Sequence, residues 1–300
     1  MARSRTETRL AHRVTPVEVQ LTPETSAPER VSDLGRVPET VLVEEPLEIR
    51  VDGTTVATTM RTPGHDFELA VGWCHAEGLL DGVELRGIRY CATGSSVDTG
   101  FNVVTVDTSG RGRPVEPRLN PMTSSCGICG TDTVDRLLER LDRLPVGAPL
   151  SAEVLSSVTE WVAADQELFR STGGSHAAAL LSPDGRACVV REDIGRHNAV
   201  DKAVGRMVLD GDLPATGSIL WISGRASLEM VQKAWAAGVA AVVSVSAPSS
   251  LAVRTAERAG MVLIGFARDG RFTVYAGADR VLTDSEVGIA TRCVSEDPYI

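Results

Sequence analysis

The chain has 300 residues, 43% of them hydrophobic and 23% charged, as is typical of a globular protein with a real core. Its formal net charge of −10 argues against broad, non-specific nucleic-acid binding, although it permits a small basic pocket for one phosphorylated ligand. No stretch approaches the roughly 20 apolar residues of a membrane span, and the charged start lacks the apolar stretch of a secretory signal. These features predict a cytoplasmic protein that binds neither nucleic acid nor membrane.

The first part of the chain predicts an arm followed by a small α+β subdomain. Residues 1–37 are polar and lack periodicity, so they are expected to be disordered. Residues 38–145 begin with two alternating runs around a turn at Asp52-Gly53, which predict a hairpin. A helix capped by Asp66 follows, and then two strand-like runs, GIRYCAT and FNVVTVDT. An irregular loop over 114–130 leads into another predicted helix, TDTVDRLLERLDRL.

The second part, residues 150–279, alternates helices and short apolar strands. One helix is predicted from SAEVLSSVTEWVAADQELFRST, then a hairpin with its turn at Asp184-Gly185. Three further helices alternate with the strands SILWISG and AAVVSVSA, and a last hairpin turns at Asp269-Gly270. This order predicts an α/β fold with a central sheet covered by helices on both faces. Residues 280–300 are predicted to form a C-terminal tail.

Cys126 and Cys129 form the motif CGIC in a polar loop and are the candidate catalytic residues. Gly127 and Gly130 give the backbone freedom to move. The helix expected to begin near Thr131 points its positive end toward the motif, which lowers a thiol pKa and favours the thiolate. A sulfur carrier needs such an accessible thiolate. Of the four remaining cysteines, three lie in apolar or strand-like contexts and are expected to be buried: Cys74, Cys91 and Cys188.

Other uses of a CxxC pair fit less well. Structural zinc normally needs a second pair of ligands, which the sequence lacks, and a thioredoxin-type dithiol usually follows a strand. A zinc-dependent deaminase stays open as an alternative, because His75-Ala76-Glu77 precedes the cysteines as H-x-E does in those enzymes. Ser125, however, stands where their motif has proline.

Polar loops between strands and helices supply candidate anion sites. They include GRAS at 224–227 and SAPSS at 246–250, where helix-start N–H groups can bind phosphate or merely be capped by serine. Arg268 and Arg271 flank the last turn and can pair with phosphate oxygens. In open α/β sheets such ligands gather at the carboxyl ends of strands. Two more such loops, TGGSH at 172–176 and REDIGRHN at 191–198, contain His176 and His197, whose role stays open.

Five segments in one order resemble the FdhD/NarQ family of formate dehydrogenase accessory sulfurtransferases. They are SSCGICG, TGGSHAAAL, REDIGRHNAVDKAVG, SGRASLEMVQKAWAAG and SVSAPSSLAVRTAERAGMVLIGFARDGR, and the resemblance covers about 38–277. It implies that Cys126 carries sulfane sulfur as a persulfide, with Cys129 beside it. It also implies a guanine-dinucleotide site in the segment FARDGR, whose residues are Phe266, Ala267, Arg268, Asp269, Gly270 and Arg271.

The resemblance further implies a partner set and a fold. The sulfur would come from a cysteine desulfurase and pass to the molybdenum bis(molybdopterin guanine dinucleotide) cofactor of formate dehydrogenase, which is bound as a substrate and for which GDP is a mimic. The protein would hold no catalytic metal of its own. The implied architecture is an α+β subdomain joined to a cytidine-deaminase-like three-layer α/β domain, assembled as a homodimer. A cofactor-binding chaperone with passive thiols is the other alternative.

Overall fold

The computed structural model describes residues 3–14, 34–91, 96–97, 99–112 and 139–282. The chain starts with an antiparallel pair of strands, β1 (Thr6–Val14) and β2 (Leu34–Leu42). The prediction of a disordered arm is therefore wrong for residues 6–14 and 34–37. The polar sequence of β1 gave no strand signal, since the strand depends on a partner 20 or more residues away. Residues 15–33 lie outside the described part of the chain.

A four-stranded sheet and one helix form the body of the first subdomain. The strand order is β4-β3-β6-β5, with β3 and β6 parallel and the other two pairs antiparallel. The elements are β3 (Glu45–Val51), β4 (Thr54–Arg61), α1 (Asp66–Ala76), β5 (Gly87–Tyr90) and β6 (Val103–Asp107). These agree with the predicted hairpin, helix and two strands. The predicted helix after the CxxC loop begins in residues that the structure does not describe.

Asp66 does not cap α1 as predicted. The N-cap is His65, in a left-handed conformation with φ of 57°, and no side chain caps the helix there. Asp66 is the first helical residue, and both of its carboxylate oxygens accept hydrogen bonds from the buried Arg61, at 3.0 and 2.9 Å. An ion pair with the preceding strand has replaced the local cap that the sequence suggested.

A mixed six-stranded sheet forms the centre of the second subdomain. Its order is β13-β12-β11-β10-β8-β9, in which β10, β11 and β12 are parallel and the remaining pairs are antiparallel. The strands are β8 (His176–Leu181), β9 (Ala187–Asp193), β10 (Ile219–Ile222), β11 (Ala241–Ser244), β12 (Val262–Arg268) and β13 (Arg271–Ala276). A short parallel pair, β7 (Leu150–Ser151) and β14 (Val281–Leu282), lies apart from it.

Helices cover both faces of this sheet and give three layers. Alternate strand residues such as Leu220 and Val242 face one core, and Trp221 and Val243 face the other. The helices on the first face are α4 (Arg196–Asp210), α5 (Leu228–Ala236) and α6 (Ser250–Ala259). On the second face lies α2 (Ala152–Ala163). The predicted α/β fold class is confirmed.

The helix predicted as one element over 151–172 is two helices. After α2 ends, α3 (Glu167–Thr172) begins anew, with Gln166 at its N-cap. The start of α3 is held by Glu192 of β9, whose carboxylate accepts from the N–H groups of Leu168 and Phe169, each at 2.8 Å. This tertiary contact explains the break, since helix propensity alone would have continued the element.

Two glycines allow α1 of the first subdomain to pack directly on α4 of the second. A β carbon on Gly72 would lie 1.9 Å from the carbonyl oxygen of Asp201. One on Gly205 would lie 1.8 Å from that of Glu68. No other residue type fits at either position, because real atoms do not approach so closely. The two helices therefore meet backbone to backbone.

Buried charges reinforce the same interface. Lys202 of α4 has no solvent exposure, and its Nζ lies 2.7 Å from Asp193 and 2.9 Å from the carbonyl oxygen of Thr62. Arg191 of β9 binds Glu68 of α1 through two nitrogens, at 2.5 and 2.8 Å. Each charge thus has a partner across or beside the interface, which fixes the first subdomain against the second.

Among the described residues, no helix combines the length and apolar character that crossing a membrane would require.

Candidate functional site

Two loops and the end of β12 meet at the carboxyl edge of the large sheet, where the parallel strands β10, β11 and β12 end. The N–H of Ser249, after β11, donates to the carbonyl of Ala226, after β10, at 2.9 Å. The N–H of Phe266 donates to the carbonyl of Ser246 at 3.2 Å. Backbone hydrogen bonds thus tie the two loops to each other and to the end of β12. This edge is where ligands bind in open α/β sheets.

The predicted ligand segment, residues 266–271, lies at this edge. Phe266 has φ of 54°, rare for an aromatic residue, and leaves 42% of its surface exposed. Ala267 is buried instead, and its carbonyl accepts from Thr159 Oγ1 at 2.8 Å. A register shift between Gly265 and Arg268 accompanies this reversal. The irregularity therefore turns the aromatic ring outward, where a β-strand alternation alone would not place it.

The two arginines of the segment lie side by side at the tip of the hairpin. Arg268 and Arg271 are opposite each other in the strand register, and both are exposed. Asp269 and Gly270, with φ of 53° and 66°, form the tight turn between them. Neither arginine forms an ion pair with a carboxylate in the described part of the chain. Two exposed cations and an exposed ring on one short segment suit an aromatic ligand with phosphates.

Two histidines left open by the sequence also lie at this edge. His176 Nδ1 is 3.2 Å from Ser223 Oγ, which also accepts from the N–H of Ala177 at 3.0 Å. Burial, with the charges of Arg196 and His197, lowers the pKa of His176. His176 is therefore a neutral hydrogen-bonding group at neutral pH.

His197 belongs to a different pair. Its Nε2 lies 2.6 Å from a carboxylate oxygen of Glu229, on the first turn of α5. Burial alone would raise the pKa of Glu229, but the hydrogen bond to His197 and nearby cations lower it on balance. Glu229 was not among the residues that the sequence predicted for this site. Thirty or so residues separate it from His197, and no local pattern in the helix SLEMVQKAWAAG marks it.

The prediction that serines cap the helix starts is only partly confirmed, because Ser227 and Ser249 differ. Ser227 is the N-cap residue of α5, yet its side chain caps nothing, and its buried Oγ has no hydrogen-bond partner among the described residues. Ser249 does cap α6, since its Oγ accepts from the N–H of Ala252 at 3.1 Å. One of these two serines is thus a structural cap, while the other has an unused hydroxyl at the carboxyl edge.

The predicted catalytic pair, Cys126 and Cys129, lies outside the described residues. Of the three cysteines expected to be buried, Cys74 and Cys91 are, and burial raises the pKa of Cys74. The expectation is wrong for Cys188, which is exposed near the start of the edge strand β9.

His75, the first residue of the deaminase-like H-x-E, has a structural contact. Its Nε2 lies 3.0 Å from the carbonyl oxygen of Ala236, and burial lowers its pKa. The described ranges contain no cluster of three His, Cys, Asp or Glu side chains that could hold a metal ion.

The structure is an α/β fold with a candidate ligand site at the carboxyl edge of its larger sheet. The model of the FdhD/NarQ family matches residues 42–282, and the chain belongs to that family. A sulfur carrier protein FdhD from Streptomyces coelicolor is 46% identical over 261 residues, covering 84% of this chain and 92% of the relative. Another of that name, from Anaeromyxobacter sp. strain K, is 45% identical and covers 82% and 90%.

A solved structure shares the fold. It comes from Desulfotalea psychrophila and is provisionally named a formate dehydrogenase accessory protein. Its TM-score is 0.72 at 23% identity, and the match covers 93% of this chain and all of that one. The predicted family membership is confirmed.

Proposed function

We propose that this protein is a sulfur carrier that serves formate dehydrogenase. Support comes from family membership and from relatives named sulfur carrier protein FdhD at 45–46% identity over most of the chain. The CGIC motif supplies the thiol that such a carrier needs. An accessory role toward formate dehydrogenase is in keeping with the name of the structural neighbour.

The proposed chemistry runs through a persulfide on Cys126. The Cys126 thiolate attacks the terminal sulfur of a persulfide on a cysteine desulfurase, and the desulfurase cysteine leaves as its thiolate. One S–S bond forms and another breaks, so the sulfane sulfur changes carrier without net oxidation. Cys126 then passes this sulfur to the molybdenum bis(molybdopterin guanine dinucleotide) cofactor, which is a substrate of the protein. In this step the S–S bond of the persulfide breaks, Cys126 leaves as its thiolate, and the reduced molybdenum of the substrate supplies the two electrons that convert the sulfane sulfur to sulfide. Cys129 belongs to the same CGIC motif.

The carboxyl edge offers the contacts that this substrate would use. Phe266 presents an exposed ring on which a guanine base can stack. Arg268 and Arg271 can each grip phosphate oxygens with two N–H groups. The observation that carries this assignment is the outward turn of Phe266 at φ of 54°, two residues before Arg268, which is paired with Arg271 in the strand register. GDP, which contains the base and two phosphates, is the probe for this site.

The assembly and compartment follow from the same proposal. The protein would act in the cytoplasm as a homodimer, receive sulfur from a cysteine desulfurase and deliver to formate dehydrogenase.

The test is activation of formate dehydrogenase in cells that lack the native gene for this protein. Cys126→Ala is expected to express as a folded protein and to give no active enzyme. Cys188→Ala removes an exposed cysteine outside the motif and is expected to activate fully. Full activation by Cys126→Ala would contradict sulfur transfer through this residue.

The same assay distinguishes the cofactor-binding chaperone. Arg268 and Arg271 are exposed and pair with no carboxylate among the described residues, so they favour ligand binding independently of the thiols. Arg268→Met and Arg271→Met are therefore tested in parallel. Loss of activation in these variants, with full activation by Cys126→Ala and Cys129→Ala, would support the chaperone instead.

A further inference from the structure

A cavity lies at the edge of the six-stranded sheet opposite to the carboxyl edge. Its volume is about 250 Å³, and it lies where α6 ends and β12 begins. Met261 lines this cavity and lies five residues before Phe266, so about 16 Å of extended strand separates the cavity from Phe266 at the carboxyl edge. Its lining includes Arg143, Leu144, Val146, Glu257, Met261 and Arg280.

Arg280 brings unused hydrogen-bond donors to this cavity. Its Nη1 donates to the carbonyl of Gly260 at 3.0 Å. Its Nε and Nη2 are buried and have no hydrogen-bond partner among the described residues. A guanidinium stays charged at any relevant pH, and buried N–H groups of native proteins are almost always satisfied. The two free donors therefore call for an acceptor inside the cavity.

The side chain of Arg143 also lies at this cavity, next to Gly260. A β carbon on Gly260 would lie 3.1 Å from Arg143 Nε, so the side chain of Arg143 passes over this glycine. Both guanidinium groups thus lie against Gly260. Although Glu257 and Asp279 also line the cavity, neither arginine forms an ion pair with a carboxylate that the structure describes. Since no described carboxylate contacts either guanidinium group directly, an anionic ligand between them would gain charge-assisted hydrogen bonds from both.

The acidic and apolar residues of the lining indicate which kind of anion the cavity would bind. Glu257, Asp279 and the carbonyl end of α6 contribute negative charge, which disfavours a doubly charged phosphate. Leu144, Val146 and Met261 offer an apolar wall. The volume is below the 300–1,000 Å³ or so of typical drug-sized sites. We propose that this cavity binds a small monocarboxylate with an apolar body, whose carboxylate is gripped by Arg280 and Arg143.

The test uses isovalerate as the probe, observed by saturation-transfer difference NMR with the full chain. Isovaleramide, which has the same shape without the charge, serves as the matched ligand. We expect isovalerate to bind with a Kd of the order of 1 mM, as ligand size suggests, and isovaleramide to show no signal. Arg280→Met is expected to weaken isovalerate binding at least about tenfold, because it removes both free donors.

Two further variants keep the result decisive. Arg143 makes no hydrogen bond with the described residues, so Arg143→Met should fold normally and still weaken binding. Arg258→Met removes an exposed charge at the same end of α6, outside the cavity lining, and should bind as the parent does. The proposal is overturned if isovalerate does not bind, if Arg143→Met binds it unchanged, or if inorganic phosphate displaces it at lower concentration.

Discussion

The interface between the subdomains and the carboxyl edge of the large sheet differ in how their charged side chains are paired. At the interface, Lys202 and Asp193 are fully buried and hydrogen-bonded to each other. At the carboxyl edge, Arg268 and Arg271 are exposed and have no carboxylate partner in the described chain. The first arrangement holds two subdomains in one geometry. The second leaves charge available for a ligand, so substitutions should affect stability at the interface and binding at the edge.

The largest loss of stability is expected from Lys202→Met. This change leaves Asp193 buried without its cation, which typically costs about 3–5 kcal/mol of unfolding free energy. Urea denaturation at neutral pH measures it. Adding Asp193→Asn should recover part of the loss, because the remaining buried group is then neutral. A Lys202→Met protein as stable as the parent would show that the pair does not fix the interface.

Gly72→Ala tests the contact between α1 and α4. The added methyl group would lie 1.9 Å from the carbonyl oxygen of Asp201, so the helices must separate, at a cost of about 1–3 kcal/mol. Gly87→Ala is the matched control in the same subdomain, because nothing lies within 4 Å of its added carbon. Thermal unfolding of both variants gives the comparison. Equal midpoints would contradict the backbone-to-backbone packing.

The ion pair between Glu68 and Arg191 predicts a pH dependence. Although burial opposes it, the hydrogen bonds and charges of Arg191 and His65 lower the pKa of Glu68 to about 2, from an ordinary 4.5. A lowered carboxyl pKa stabilises the fold above pH 4.5, and this stabilisation is lost as the pH falls toward 2. After a discount for partial solvent screening, Glu68→Gln should cost about 1–2 kcal/mol at pH 7.

Urea denaturation of the parent and Glu68→Gln between pH 7 and pH 3 measures this difference. The two stabilities should converge as the pH falls. Arg191→Met removes the same pair from the other side and should lose stability over the same pH range. A constant difference between the parent and Glu68→Gln at every pH would contradict this account.

At the carboxyl edge, Arg268→Met and Arg271→Met should barely change stability. Exposed charges without partners contribute within about 0.5 kcal/mol. Each variant should instead weaken GDP binding about tenfold or more, since a charge-assisted contact to phosphate is lost. Calorimetric titration with GDP measures the effect, and Arg258→Met serves as the exposed control. Unchanged GDP affinity in both variants would remove the proposed ligand site from this hairpin.

Local patterns in the sequence were enough for most of the fold. Turn pairs such as Asp52-Gly53 and Asp269-Gly270 predicted hairpins because both positions favour positive φ, which the structure confirms. The gap between α2 and α3 could not be predicted. It depends on Glu192, which reaches the start of α3 from a strand more than 20 residues later. Strand β1 was missed for the same reason, since its partner is distant.

The candidate site was predicted in part. The ligand role of the FARDGR segment was implied by the family resemblance. Its two arginines are exposed, so a ligand could reach them. The outward turn of Phe266 was not predictable, because it depends on a register shift and on the carbonyl of Ser246. The pairing of His197 with Glu229 also depends on how two helices meet. The proposed role of Cys126 and Cys129 is based on the sequence motif alone, because both lie outside the described residues.

Intact-protein mass spectrometry after incubation with a cysteine desulfurase and free cysteine tests the sulfur-carrier proposal most directly. The parent should gain about 32 Da, the mass of one sulfur atom, and a reductant should remove it. Cys188→Ala should gain the same mass, and Cys126→Ala should gain none. Absence of the gain in the parent with an active desulfurase, or its persistence in Cys126→Ala, would contradict a persulfide on Cys126.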